Sequence, residues 1–275
     1  MLTCDLCFHN CSLEEGQTGF CRARRNVNGK IVSINANWIT SMALDPIEKK
    51  PLYHFYPGSK ILSMGSFGCN LACPFCQNHS IATMSFQNKH AKFMRSEELV
   101  SLAVDFIPQG NIGLAFTYNE PLIGYEFVLE TAKLARQNKL KTVLVTNGTL
   151  SEKYLLDILP FIDAMNIDLK GFTQEFYTKL SGNFDQVKRT IERSQSRTHV
   201  EITTLIIPGE NDDEEDMEKE AQWIASLNPE IPLHLSRFFP NHLWMDKPIT
   251  PMDTLIKLER IARKHLKHVH LGNVW

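Results

Sequence analysis

Gly68-Cys69-Asn70-Leu71-Ala72-Cys73-Pro74-Phe75-Cys76-Gln77-Asn78 sets three cysteines at C-x3-C-x2-C spacing, with an aromatic residue directly before the third. A short loop carrying three soft thiolates can turn them onto one face of an iron–sulfur cubane. Such clusters ordinarily take a fourth cysteine, and none follows within reach. One iron is then left without a protein ligand, as on a catalytic metal that keeps an open position. The plainer readings are three buried, inert thiols or a zinc knuckle. The spacing together with the aromatic favours a [4Fe-4S] cluster on Cys69, Cys73 and Cys76.

Length and composition bound what that loop can belong to. At 275 residues the chain has room for one large domain and a small module. Apolar residues make up 43% and charged residues 22%, ordinary for a soluble globular protein that needs no disulfides. The net charge of -2 gives no sign of a nucleic acid or other polyanion partner, and Arg22-Ala23-Arg24-Arg25 reads as a solvated face. Met1-Leu2-Thr3-Cys4-Asp5 lacks the basic and apolar regions of a signal peptide, and no apolar run has membrane-spanning length. Seven cysteines without a secretion signal point to metal ligation in a reducing compartment, so a cytoplasmic location is expected.

The other four cysteines, Cys4, Cys7, Cys11 and Cys21, lie at C-x2-C-x3-C-x9-C spacing, with Gly16 and Gly19 as flexible turns. This reads first as a structural zinc site, then as a second iron–sulfur cluster, then as free thiols. His9, among them, is read as a surface or supporting residue. Asn28-Gly29 predicts a hairpin turn. The stretch from Asp45 to Gly58 holds three prolines, which exclude a helix interior or a central strand, so an extended connector is expected. Residues 1–57 are thus expected to form a Cys-rich N-terminal module with its connector, and residues 58–275 the main domain.

From residue 60 the pattern alternates between strand and helix. Candidate strands are Lys60–Met64, Ile112–Tyr118, Thr142–Asn147, Asp163–Leu169, Val200–Ile207 and Leu233–Phe238. Ser96 reads as an N-cap, Thr250-Pro251-Met252-Asp253 as a capping box, and the acidic run Asn211 to Asp216 as a helix start. Alternation of this kind implies a parallel sheet with right-handed crossovers. Six strands are too few for a closed eight-stranded barrel, so the fold expected is α/β, an open, partial (β/α)6 barrel.

Parallel barrels carry their active residues at the C-terminal strand ends. The cysteine loop leaves the end of the first strand. The next ends carry Thr117-Tyr118-Asn119-Glu120-Pro121, Thr146-Asn147-Gly148 and Asp168-Leu169-Lys170. Asn119, Glu120, Asn147, Asp168 and Lys170 are therefore candidate cofactor contacts. Asn166, Asp168 and Lys170 share one strand face, which makes a site or a buried ion pair. His234, on the sixth strand, is either a satisfied core histidine or a site residue.

These segments, with Cys4-x2-Cys7, Gly16 to Asn26, Asp45 to Phe55 and Ile206 to Asp213, resemble the radical S-adenosylmethionine (SAM) enzymes of the AmmeMemoRadiSam system. Those enzymes are relatives of pyruvate formate-lyase-activating enzymes, and the resemblance covers nearly the whole chain. It implies a radical SAM barrel in which SAM chelates the open iron. It places Phe75 beside the adenine, Glu120 on the SAM amino group and Lys170 on its carboxylate, with His234 helping to hold the cofactor. The usual Gly-Gly-Glu of the second strand is replaced here by Tyr118-Asn119-Glu120. The implied reaction begins with an electron from flavodoxin or ferredoxin, splits SAM reductively to a 5′-deoxyadenosyl radical and abstracts hydrogen. A polypeptide substrate is expected. The alternatives are radical modification of a small molecule, or an iron–sulfur electron carrier or redox sensor that never cleaves SAM; a carrier would need no row of polar strand ends.

Overall fold

Each of the six apolar runs becomes a strand in the computed structural model, which describes residues 1–85 and 91–274. The main sheet has eight strands: β1 Ser41–Pro46, β2 Lys60–Gly65, β3 Asn111–Phe116 and β4 Lys141–Thr146, then β5 Ala164–Asp168, β6 His199–Ile206, β7 Leu233–Arg237 and β8 Val269–Gly272. Spatial order follows chain order. β2 to β8 run parallel, and β1 pairs antiparallel with β2. The edges β1 and β8 are not joined, so the barrel is open, as expected.

Two strands exceed the expectation. β8 reads His-Val-His-Leu-Gly in its neighbourhood, with too little apolar signal to stand out alone. β1 ends on Pro46, which is tolerated because an edge strand can lack one N–H. The expected boundary between residues 57 and 58 thus falls between two paired strands, β1 and β2.

Alternation along the strands builds two layers. Leu62, Leu114, Leu144 and Met165 face the helices and form the large outer core with Leu99, Val128, Leu155 and Ile191. Ile61, Ala115, Val143 and Ala164 face the lumen, where Ile47, Leu52 and Phe55 of the connector cover them. Ile47 and Leu52 are fully buried, and each such side chain contributes about 1.5–3 kcal/mol. The connector therefore floors the barrel at the N-terminal side of its strands. Its backbone is held from above: Pro51 O accepts from Asn166 Nδ2 at 2.8 Å, and Tyr53 N and His54 N donate to Glu201 at 3.0 and 2.8 Å.

Local expectations divide. Asn28 and Gly29 both take positive φ, 51° and 72°, and turn Arg24–Val27 back on Lys30–Ser33. Asp213 caps the helix Glu214–Leu227, accepting from Glu215 N and Asp216 N. Thr250 does not cap the helix Met252–Ala262; its hydroxyl donates to Ile206 O and accepts from Phe238 N, tying two strand ends. Arg95, not Ser96, takes the cap position of the helix Ser96–Asp105, and Ser96 bonds Glu130 instead. Arg24 is no solvated residue: it is buried and pairs with Glu126. Among the described residues no helix is long and apolar enough to cross a membrane.

Candidate active site

The cysteine loop begins at Gly68, three positions beyond the end of β2 at Gly65. Gly68 holds φ at +85°, and a Cβ there would stand 2.4 Å from Cys21 O. Only glycine accepts both the left-handed backbone and that approach. The loop then passes along the C-terminal ends of the strands, where Cys69, Cys73 and Cys76 line one cavity of ≈ 260 Å³. The same cavity is lined by Asn119, Glu120, Asn147, Asp168 and Lys170, so the structure brings these sequence candidates together.

Each polar group is anchored from behind. Glu120 accepts from Leu122 N at 3.0 Å, Thr146 Oγ1 at 2.9 Å and Asn147 N at 2.8 Å. Burial nevertheless dominates and pushes its carboxyl up to about 7. Asn147 Nδ2 donates to Asn70 Oδ1 at 2.9 Å and approaches Cys69 Sγ at 3.9 Å. Lys170 Nζ stands 2.9 Å from Asp168 Oδ2. Burial alone would lower the Lys170 pKa, but Asp168 and Cys73 outweigh it and the ammonium is held above its usual range.

The thiols suit an iron cluster by their chemistry. Burial pushes Cys73 up to about 12 and raises Cys69 and Cys76 as well, so without a metal they keep their protons. One donor already faces sulfur, with Leu71 N 3.4 Å from Cys69 Sγ, and the Lys170 charge partly offsets burial at Cys73 and Cys76. Three half-buried thiols that open onto the cavity, backbone donation to sulfur and a neighbouring cation form a donor set for thiolate-bound iron. Phe75 packs between Phe176, stacked at 6.4 Å, and Trp244 at 5.3 Å, and it too lines the cavity.

His234 departs from the expectation. It sits on the second residue of β7, below the cavity, with Nε2 2.6 Å from Glu201 Oε2 and the Tyr53 ring edge-on at 4.7 Å. The strand-end rule favours the residue two positions on, and Ser236 does line the cavity. Thr203 and Leu205 of β6 also reach it, as does Asn273, which no motif marks.

The N-terminal cysteines form a second group. Cys4, Cys7, Cys11 and Cys21 line a small separate cavity with His9 and Arg24, and none is in a disulfide. His9 Nε2 reaches Asn70 O at 2.9 Å, docking this group against the back of the cysteine loop. Among the described residues no three His, Cys, Asp or Glu side chains stand ready to hold a single metal ion. That geometry does not support the zinc expected at these four thiols.

Comparison with known proteins agrees with the geometry. The sequence profile of the Radical SAM superfamily matches residues 65–221. The chain is 38% identical to an uncharacterized protein of Methanocaldococcus jannaschii, over 98% of this chain and 81% of that one. It is 26% identical to the pyruvate formate-lyase-activating enzyme of Clostridium pasteurianum, over 58% of this chain and 67% of the relative. In fold it is similar to a radical SAM methyltransferase from Sphaerobacter thermophilus, at a TM-score of 0.60 and 15% identity, over 79% of this chain and 67% of the other. With more than half its length matched and its cysteine loop at the barrel mouth, the chain belongs to the radical SAM superfamily, distantly related to the pyruvate formate-lyase-activating enzymes.

Proposed function

We propose that this chain is a radical SAM enzyme of the AmmeMemoRadiSam type that abstracts a hydrogen atom from a polypeptide. One observation carries the reading: Cys69, Cys73, Cys76, Glu120 and Lys170 share one cavity at the C-terminal ends of parallel strands. When bound, a [4Fe-4S] cluster and SAM supply reductive carbon–sulfur cleavage and the hydrogen-abstracting radical.

The protein's own residues bind and aim. Cys69, Cys73 and Cys76 would hold the cluster through their sulfurs. Glu120 receives the SAM amino group, and Lys170, steadied by Asp168, receives its carboxylate. Asn119 and Asn147 fix the loop and the Glu120 strand end, and Phe75 walls the adenine side. The electron comes from a flavodoxin or ferredoxin. The unjoined edges β1 and β8 support a polypeptide substrate, because a partner's loop needs an open side. The relative from Clostridium pasteurianum, named for activating another enzyme, pulls the same way.

The test is anaerobic reconstitution followed by a strong reductant and SAM. Wild type should form 5′-deoxyadenosine, and the triple variant Cys69→Ala, Cys73→Ala, Cys76→Ala should hold no cluster. A triple variant with an intact cluster would overturn the assignment. For the substrate, deuterated candidate proteins or a deuterated small-molecule fraction are supplied. Deuterium reaching 5′-deoxyadenosine from a protein supports the reading, and transfer only from the small molecules refutes it.

A further inference from the structure

The end of β3 is held in an unusual shape. Tyr118 has φ +71°, and Asn119 N donates to Thr117 O at 3.0 Å, so Tyr118 is the centre of a three-residue turn of the rare, strained hand. A bulky residue reaches the left-handed region only when its surroundings hold it there. The surroundings here are specific. Tyr118 Oη donates to Asp45 Oδ2 at 2.9 Å, and Lys50 Nζ donates to the same oxygen at 2.9 Å. Lys50 also lies over the Tyr118 ring, 4.8 Å from its centre. Asp45 and Lys50 are both buried, and both belong to β1 and the connector rather than to the cavity wall. The Tyr118 side chain also lies close to Gly65, where a Cβ would come within 2.9 Å of its Cβ and Cδ2.

What the turn does is equally specific. It sends Asn119 back onto the start of the cysteine loop: its Oδ1 accepts from Ser66 N at 3.0 Å and its Nδ2 donates to Gly68 O at 2.9 Å. Tyr118 O accepts from Asn78 Nδ2 at 2.7 Å, at the far end of that loop. The turn thus ties both ends of the loop that carries Cys69, Cys73 and Cys76, and it delivers Glu120 to the cavity wall.

We infer that Asp45, with Lys50, is a positioning residue: by gripping the Tyr118 phenol it holds the strained turn that clasps the cysteine loop and sets Glu120. The phenol is able to donate throughout the neutral range, since burial and Asp45 push it up to about 12. As far as it concerns SAM, the inference rests on the reading of the cavity as the SAM site. The clasp itself does not.

Two readouts separate the two claims. The first is amide hydrogen exchange in the cofactor-free protein. Tyr118→Phe removes the phenol's bonds, the one it donates to Asp45 and the one from the Ser63 hydroxyl, and leaves the Asp45–Lys50 pair intact. It should exchange Ser66 N–H about tenfold faster, the loss of one charge-assisted bond, while Leu233 N–H at the other side of the sheet is unchanged. The second is SAM titration of reconstituted protein. Tyr118→Phe should weaken binding about tenfold and Asp45→Ala at least as much, since it also strands buried Lys50; the double variant should be no weaker than Asp45→Ala alone, because the contact to the phenol is already gone. Asp45→Ala with Tyr118→Gly should recover affinity, since glycine adopts the left-handed turn without a grip. A merely structural Asp45 would not be rescued in this way. Unchanged Ser66 exchange in Tyr118→Phe overturns the clasp. Faster Ser66 exchange in that variant, with no SAM binding even by wild type, overturns the cofactor reading and leaves the clasp standing.

Discussion

His234 Nε2 meets Glu201 Oε2 at 2.6 Å inside the barrel, with both side chains almost completely shielded from solvent. Glu201 also accepts from His199 Nε2 at 2.9 Å and from the connector's backbone at Tyr53 and His54. The carboxylate is therefore the bolt between the floor of the barrel and β7.

Burial works against the Glu201 charge, but the bonds from His199, His234, Tyr53 N and His54 N outweigh it and hold the group at about 2, against an ordinary 4.5. A folded pKa below the unfolded one means stability that is present above about pH 4.5 and lost as pH falls toward 2. The amount is on the order of 3 kcal/mol. Denaturant unfolding of wild type and Glu201→Gln at stepped pH checks it: their difference should shrink through that window. His234→Gln should lower stability yet bind SAM normally; a selective loss of SAM would return His234 to the cofactor site.

Lys170 is held by more than its charge. Its backbone N–H donates to Tyr177 Oη at 3.0 Å, and its carbonyl accepts from Asn211 Nδ2 at 2.7 Å, so the strand end is rigid before any ligand arrives. Lys170→Ala should keep its cluster and lose SAM affinity by about 2–5 kcal/mol, the usual effect of deleting one partner of a shielded charged contact. Calorimetric titration on the reconstituted variant decides. Unaltered affinity would make Lys170 and Asp168 a structural ion pair only.

Glu220 offers the opposite pH sign. It is buried on the helix Glu214–Leu227 with Thr204 as its hydrogen-bond donor, and burial raises its carboxyl to about 8. The folded state then binds a proton that the unfolded chain releases near 4.5. Wild-type stability should decline between about pH 4.5 and 8 on this account. Glu220→Gln removes the titration, so its stability relative to wild type should rise across that window and level off above it. Unfolding curves at pH 5, 7 and 9 that run parallel for the two proteins would contradict this.

The strands, the cysteine loop and the strand-end polar groups were legible because each rests on a local pattern: apolar runs, cysteine spacing, or a residue's place at a strand terminus. His234 misled because period two marks the right face but not the height on it, and Ser236 occupies the height of the cavity. β1 was hidden by its closing proline and by its pairing with β2 rather than by any periodicity of its own. Tyr118 was visible as a departure from Gly-Gly-Glu. Its left-handed backbone and its partner 73 positions earlier, Asp45, are tertiary facts that no local pattern records.

The floor of the barrel has a kinetic side. Its bonds join Pro51 to Asn166, Tyr53 to Glu201 and His54 to His270, across 115, 148 and 216 positions of sequence. Pairings so distant cannot form until β5, β6 and β8 exist, and closing such loops costs entropy before any bond is gained. During synthesis Leu52 and Phe55 therefore wait in water for the surfaces that will cover them. Such loop-closing costs predict that these bonds form late, so Asn166→Ala should speed unfolding and leave the rate of folding nearly untouched; a slowed folding limb in denaturant-jump kinetics would contradict this.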